Sequence, residues 1–226
     1  MKPTPESRHA KRKVMIVDDH PLLRDGLAKV LNQQADFAVC GEAGDARAAL
    51  SALAKCRPDV MIVDLTMDVG NGLDLIKDLH ARDAQLPILV LSMHHENLYA
   101  ERAIRAGARG YVMKREPVGT VVAALRKVLD GHLALSENMV SRMLVTPDRA
   151  KKAPSGSPAE LLSDRELEVF RLLGHGLGTG QIAEKLHVAA STVETHRAAI
   201  KLKLNLAGAT ELVARAAQFV LDDQGG

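Results

Sequence analysis

Residues 13–31 read KVMIVDDHPLLRDGLAKVL, and this stretch decides the fold. The apolar run Val14-Met15-Ile16-Val17 ends at a pair of carboxylates, Asp18-Asp19, and Pro21 then opens a segment that runs with helical periodicity to Leu31. A short continuous apolar run suits a strand buried on both faces, and a helix-period segment after it suits a crossover helix. The pattern returns four times. Further runs lie at Phe37–Cys40, Val60–Val63, Ile88–Leu91 and Tyr111–Met113, with helical segments at Ala46–Lys55, Leu73–His80, Asn97–Ala106 and Val118–Leu129. Strands that alternate with helices predict an α/β doubly wound five-stranded parallel sheet covered on both faces. Gly107 stands where the fourth helix needs a C-cap.

Beyond this first block, from Lys13 to Gly131, the text changes. Thr146–Glu160 reads TPDRAKKAPSGSPAE, a Pro-, Ser- and Lys-rich linker, with a short helix predicted before it at Glu137–Leu144. Leu162–Leu221 then spells a small all-α unit of four helices. Ser163 and Glu166 form an S-x-x-E capping box before the apolar periodicity Leu167, Phe170, Leu172, Leu173. The expected division is a basic tail over 1–12, a first domain over 13–131, a short helix and linker over 132–160, and a second domain over 161–226.

Composition narrows the function. The 226 residues are 46% hydrophobic and 26% charged, with 2% aromatic and no Trp, so the core must be aliphatic. A net charge of +2 supplies no bulk attraction for nucleic acid, so any such surface must be local. Cys40 and Cys56 form neither a CxxC pair nor a Cys/His cluster, and are expected to be ordinary buried thiols in a reducing compartment. No apolar run reaches the ~18 residues of a membrane span, and Met1–Lys13 has no apolar leader segment. A cytoplasmic protein without membrane contact is expected.

The chemistry sits at strand ends. Asp18-Asp19 ends the first strand, Asp64 the third and Ser92 the fourth, and Lys114 follows the fifth. In doubly wound sheets ligands bind at that edge, where the strand order reverses. Three carboxylates in one cleft repel one another, and an all-oxygen set suits Mg²⁺. Asp64 would act as nucleophile and become an aspartyl phosphate. Lys114 would neutralise the phosphoryl charge and Ser92 would donate to a phosphoryl oxygen.

On Asp18-Asp19, Asp64-Leu65-Thr66-Met67 with Gly72, Ser92 and Tyr111-Val112-Met113-Lys114, the first block resembles a response-regulator receiver domain of flavodoxin-like fold. The resemblance implies Asp64 as phosphoacceptor, Mg²⁺ held by Asp18, Asp19, Asp64 and the Thr66 backbone carbonyl, Ser92 and Lys114 on the phosphoryl group, and Tyr111 as a switch aromatic. One departure is Asp68, where the family usually has Pro. A solvated loop carboxylate and a weakened phosphoryl transfer are both open readings of it.

On Leu162-Ser163-Asp164-Arg165-Glu166, Gly176, Gln181-Ile182-Ala183, Leu186, Thr192-Val193-Glu194-Thr195-His196-Arg197, Ile200 and Lys203-Leu204, the second block resembles a LuxR-type helix-turn-helix domain. Together the blocks resemble NarL/FixJ-family two-component response regulators. Ser191–Leu204 would be the recognition helix. Glu194, Thr195 and Ala198 would face base edges, and His196, Arg197, Lys201 and Lys203 would add charge for phosphates, with Thr192 at the cap or on a phosphate. Gly180, Ala189, Ala198 and Ala199 depart from the family by lacking a basic group, a cap and hydrogen-bonding side chains.

The expected function is a transcription regulator switched by phosphorylation of Asp64 by a sensor histidine kinase, binding double-stranded DNA as a homodimer when phosphorylated, and not a turnover enzyme. Without phosphate, the receiver would mask the recognition helix or hold the chain monomeric. Leu212, Val213, Ala216, Ala217 and Val220 on the last helix would form a dimer face or pack within the domain. Two other classes stay open. An aspartate-nucleophile phosphatase would need a D-x-D motif where Asp18-Asp19-His20 stands. A receiver acting through protein contacts would carry a degenerate DNA-binding domain.

Overall fold

Alternate side chains of strand β1 (Arg12–Val17) point to opposite sides of the sheet, Val14 and Ile16 into one apolar layer and Met15 and Val17 into the other. The computed structural model describes residues 10–67, 71–145 and 157–224. β1 lies between β2 (Phe37–Ala43) and β3 (Val60–Val63), followed by β4 (Ile88–Ser92) and β5 (Gly110–Met113), giving the parallel order β2-β1-β3-β4-β5. The order reverses between β1 and β3, and Asp18 and Asp64 end those two neighbours.

The helices on the sheet are the crossovers α1 (Pro21–Gln33), α2 (Ala46–Cys56), α3 (Gly72–Arg82) and α4 (Glu96–Ala106), with α5 (Val118–Leu129) after the last strand. Leu27 and Leu31 of α1 and Val121, Leu125 and Val128 of α5 cover the layer holding Val14, Ile16 and Ile62. Ala49 of α2, Leu75, Ile76 and Leu79 of α3 and Ala100 and Ala103 of α4 cover the other. The sheet, its four crossover helices and the helix after β5 are as the sequence predicts. Gly107 closes α4 at φ 117, a left-handed conformation that glycine adopts without steric cost.

Two readings need correction. Cys40 and Cys56 are not free thiols. They form a disulfide, with Cα atoms 5.4 Å apart. The register of β1 on β2 slips between Val14↔Val39 and Met15↔Gly41, so Cys40 is the extra residue of a bulge. The bare Cα of Gly41 leaves room beside it, where an added Cβ would lie 3.2 Å from Cys56 Sγ. Their 16-residue separation carries no motif, and only the return of α2 onto β2 brings them together.

The second correction concerns the linker. Its last residues form α7 (Pro158–Leu161), with Ala159 buried and the Ser157 N–H donating to Glu160 Oε2 at 3.2 Å. Residues 146–156, and with them most of that segment, lie outside the described residues. The chain after α5 also stays with the sheet. Ala134 pairs with Gly110, and α6 (Glu137–Val145) packs on α4, with Met139 buried.

The second unit comprises α8 (Asp164–Gly174), α9 (Thr179–Lys185), α10 (Ala190–Lys203) and α11 (Ala209–Gln224). The Ser163 box is formed, with Ser163 N–H on Glu166 Oε2 at 2.7 Å. Leu167, Phe170, Ile182, Val193, Ile200, Leu212, Ala216 and Phe219 make its core. Leu212, Ala216 and Val220 therefore pack inside the domain, and of the five proposed dimer-face residues Val213 is the exposed one.

Candidate functional site

The β1–β3 pairing builds the site. The Asp64 N–H bonds Val17 O at 2.8 Å, which holds Asp64 beside Asp18. Both carboxylates are buried, as is Ser92. Lys114 reaches in from the end of β5, with Nζ 2.7 Å from Asp18 Oδ2 and 2.7 Å from Asp64 Oδ2. Its own N–H bonds Ser92 O at 2.7 Å, which ties the β5 end to the β4 end. The loop after Asp64 turns back through Gly72, whose N–H bonds Leu65 O at 3.0 Å, while Thr66 N–H donates to Asp64 Oδ1 at 3.2 Å.

Burial pushes the Asp64 carboxyl up to about 6, against the pull of the Lys114 ammonium. Burial also works against charge on Lys114, but Asp64 and Asp18 outweigh it and hold the ammonium above its ordinary value. Carboxylate oxygens of Asp18, Asp19 and Asp64 and a nitrogen of His20 all lie within 4.8 Å of one another. His20 Nδ1 sits 2.7 Å from Asp19 Oδ1 and 3.2 Å from Asp18 Oδ1. Three carboxylates face one ammonium, so the pocket retains negative charge that a hard divalent cation would balance, and the donor set fits Mg²⁺.

Sequence reasoning missed His94. It is buried two residues after Ser92, and several groups converge on it. Its N–H bonds Ser92 Oγ at 3.2 Å, and its carbonyl accepts from the Tyr111 hydroxyl at 2.9 Å. Its Nε2 lies 2.7 Å from Thr66 Oγ1 and 2.6 Å from Arg171 Nη1, and its ring stacks on Tyr99 with centroids 4.8 Å apart. Burial, with Arg171, His175 and Lys114 nearby, pushes its pKa down to about 3, so the ring is neutral. A guanidinium can only donate, so Nε2 accepts and the proton sits on Nδ1. Nothing in the sequence separates this histidine from a surface one.

Arg171 belongs to α8, so this contact joins the two domains. Lys77 and Arg102 clamp Asp164 at 2.7 and 2.6 Å, and with those partners its carboxyl lies below the usual range despite burial. Arg102 also holds the carbonyls of Ala159 and Leu162, and Asn71 Nδ2 donates to Glu168 Oε2 at 3.1 Å. The docked surface is therefore α7 and α8. The expectation of a masked recognition helix is not met, because Glu194, Thr195 and Ala198 on α10 are exposed.

The other predicted DNA-contact residues are placed as follows. Arg197 turns into the domain, with Nη1 2.5 Å from Thr179 Oγ1 and 3.2 Å from Glu194 Oε1. Lys203 reaches back to Glu166 Oε2 at 2.6 Å and braces α10 on α8. Thr192, His196 and Lys201 are half-buried. The hydroxyl of Thr195 is spent on Ser191 O at 3.0 Å, and Ala189 caps α10 without a side-chain bond. Asp68 lies outside the described residues. No described helix is long and apolar enough to cross a membrane.

Two family models match. Residues 14–126 match the response regulator receiver domain, and residues 160–216 match the luxR family of bacterial regulatory proteins. The oxygen regulatory protein NreC of Staphylococcus epidermidis is 35% identical over 206 residues, covering 89% of this chain and 94% of NreC. A structure of RcsB from Salmonella enterica serovar Typhimurium, bound to promoter rprA with the phosphomimetic BeF3⁻, is 28% identical with a TM-score of 0.64, covering 92% of this chain and 99% of that one. Another Salmonella typhimurium RcsB structure gives a TM-score of 0.68 at 28% identity, over 93% and 98% of the two chains.

Proposed function

The chain belongs to the family of response regulators that join a receiver domain to a LuxR-type DNA-binding domain, and from this we propose that Asp64 is its phosphoacceptor. The observation that carries this reading is Lys114 Nζ at 2.7 Å from both Asp18 and Asp64 at the β1–β3 switch point. A carboxylate oxygen of Asp64 attacks phosphorus, the P–O bond forms, and the bond to the donor breaks. When the donor is a kinase phosphohistidine, the P–N bond breaks and the imidazole leaves. Lys114 then balances the phosphoryl oxygens and Ser92 Oγ donates to one of them.

Asp18, Asp19, Asp64 and the Thr66 carbonyl would hold Mg²⁺, which supplies charge neutralisation at the phosphoryl oxygens when bound. Tyr111, already bonded to the His94 carbonyl, is the aromatic partner of the Ser92 shift. The partners are a sensor histidine kinase and double-stranded DNA, with a homodimer on paired half-sites, in the cytoplasm. One phosphoryl group is accepted per chain, without turnover on free substrates. The BeF3⁻-bound, promoter-bound RcsB structures support this reading by likeness.

On α10 the exposed Glu194, Thr195 and Ala198 would meet base edges. His196 and Lys201 would approach phosphates, with Thr192 at the helix start. Arg197 and Lys203 would serve mainly by bracing this helix on its neighbours.

A pH profile tests the site. The nucleophile is the ionised carboxyl, and its pKa of about 6 lies above the ordinary 3.8. With Mg²⁺ held low, labelling by acetyl phosphate should rise as pH increases through about 6 and then level off. Saturating Mg²⁺ should move the midpoint down, because a bound cation favours the charged form. A flat profile from pH 5 to 8 at low Mg²⁺ would contradict the assignment.

A further inference from the structure

We propose that His94 is the positioning residue that couples the phosphorylation site to the DNA-binding domain, with Arg171 of α8 as its interdomain partner. The inference rests on Asp64 as phosphoacceptor and adds the route by which the rest of the chain senses it. His94 is tied to the site three times. Its N–H is on Ser92 Oγ, its carbonyl holds the Tyr111 hydroxyl, and its ring nitrogen meets Thr66 Oγ1, two residues past Asp64. The same ring nitrogen takes the Arg171 guanidinium at 2.6 Å, and Arg171 also lies over the Tyr99 ring, 5.8 Å from its centroid.

One ring nitrogen has one lone pair. Thr66 and Arg171 therefore share a single acceptor, and a change on the Thr66 side is felt on the Arg171 side. The second link is the main chain. A phosphoryl group on Asp64 draws Ser92 Oγ toward it, and the 92–94 segment carries the His94 ring with it. Half-buried Arg171 then loses its bond to the His94 ring, which disfavours the docked position of α8.

The contact has the character of one that opens. Its polar pairs surround a cleft of ≈ 930 Å³ whose walls mix Thr66, Asn71 and Glu168 with the apolar Leu65, Leu172 and Leu186. An open volume of this size leaves that part of the interface unfilled, and relative motion is the ordinary behaviour of domains not held by a large, closely packed apolar interface. Behind Arg171, the opposite face of α8 carries the core residues that pack on α10 and α11, so the docked helix is also the scaffold of the recognition helix.

The experiment uses the full-length chain with Mg²⁺ and beryllofluoride as the phosphoryl mimic. Small-angle scattering reads domain docking, equilibrium titration reads beryllofluoride affinity, and circular dichroism confirms folding. Arg171→Ala and His94→Leu should enlarge the radius of gyration of the unmodified protein to that of undocked domains. His94→Gln, whose amide oxygen still accepts, should stay compact. Beryllofluoride should expand the wild-type chain and leave the size of Arg171→Ala unchanged. By reciprocity, an already undocked chain binds the mimic more tightly, by about fivefold or more.

Folded Arg171→Ala and His94→Leu chains as compact as wild type would overturn the docking role. Expansion with wild-type beryllofluoride affinity would overturn the coupling. A wild-type chain that takes up no beryllofluoride would instead overturn Asp64 as phosphoacceptor, and with it the coupling, while the compaction of the variants decides the docking role by itself.

Discussion

The Asp64→Asn chain, incubated with Mg²⁺ and acetyl phosphate, should take up no phosphoryl group, while the wild-type chain should be labelled at one site. Asparagine fills the same volume and keeps an oxygen to accept the Thr66 N–H, but its amide has no nucleophilic carboxylate. Ser92 and Thr66 cannot substitute, because neither hydroxyl is an ionised carboxylate, and the His94 Nε2 that meets Thr66 also takes the Arg171 guanidinium and is too weak a base to ionise it. Lys114 keeps Asp18 as a partner at 2.7 Å, so its charge is not stranded and the fold persists. Intact-mass spectrometry reads the label, and far-UV circular dichroism reads the fold. Equal labelling of both chains would move the acceptor elsewhere.

A glycine carries the second large effect. In Gly72→Ala, the new Cβ would stand 2.1 Å from the Asp64 carbonyl oxygen and 2.5 Å from Leu65 Cα. Both neighbours are backbone, so no side-chain rotation relieves the clash. The loop can only open, which breaks the Gly72 N–H bond to Leu65 O and displaces Asp64 from beside Asp18. The cost should reach about 3 kcal/mol, the upper range for overpacking against a rigid wall. That corresponds to a fall in the receiver's Tm on the order of 10 °C. Labelling by acetyl phosphate should drop with it, even below the new melting temperature. Gly26→Ala, where an added Cβ meets nothing within 4 Å, is the matched control: it should keep wild-type labelling and hold or slightly raise the Tm, because alanine is favoured over glycine by roughly 1 kcal/mol inside a helix.

The parts legible in the sequence were those coded locally. Each strand is an unbroken apolar run, so five of them could be counted. Asp18, Asp64, Ser92 and Lys114 each follow a run, so the parallel topology brings them to one edge. The Ser163–Glu166 box and the Gly107 cap are likewise written within a few residues. What was not legible depends on long-range closure. Cys40 meets Cys56 only because a bulge in β2 and the return of α2 align them. Pro158–Glu160 reads as linker, yet its Ala159 carbonyl is held by Arg102, 57 residues away in sequence. Leu212, Ala216 and Val220 form an apolar stripe that fits a dimer or a core equally well, and the packing of α8 decides for the core. The clustering of Asp18, Asp64 and Lys114 was readable, but its link to the other domain was not, because His94 and Arg171 lie 77 residues apart in sequence.

The exposed recognition helix bears on how the switch works. Docking through α7 and α8 leaves Glu194, Thr195 and Ala198 open, so this form does not cover the face proposed to read bases. Under the proposed function, control then acts on the orientation and pairing of the DNA-binding domains rather than on access to that helix. Two half-sites on a duplex demand a fixed spacing between the paired modules. A domain clamped to its receiver by Lys77, Arg102 and His94 cannot adjust to that spacing.

The most direct test of the central claim is the affinity of the full-length chain for a duplex selected by the phosphorylated protein from a random pool, measured with and without acetyl phosphate plus Mg²⁺. The account predicts tighter, salt-sensitive binding in the phosphorylated sample, and no such gain in Asp64→Asn. Equal affinity in both states, with labelling of Asp64 verified by mass, would contradict it.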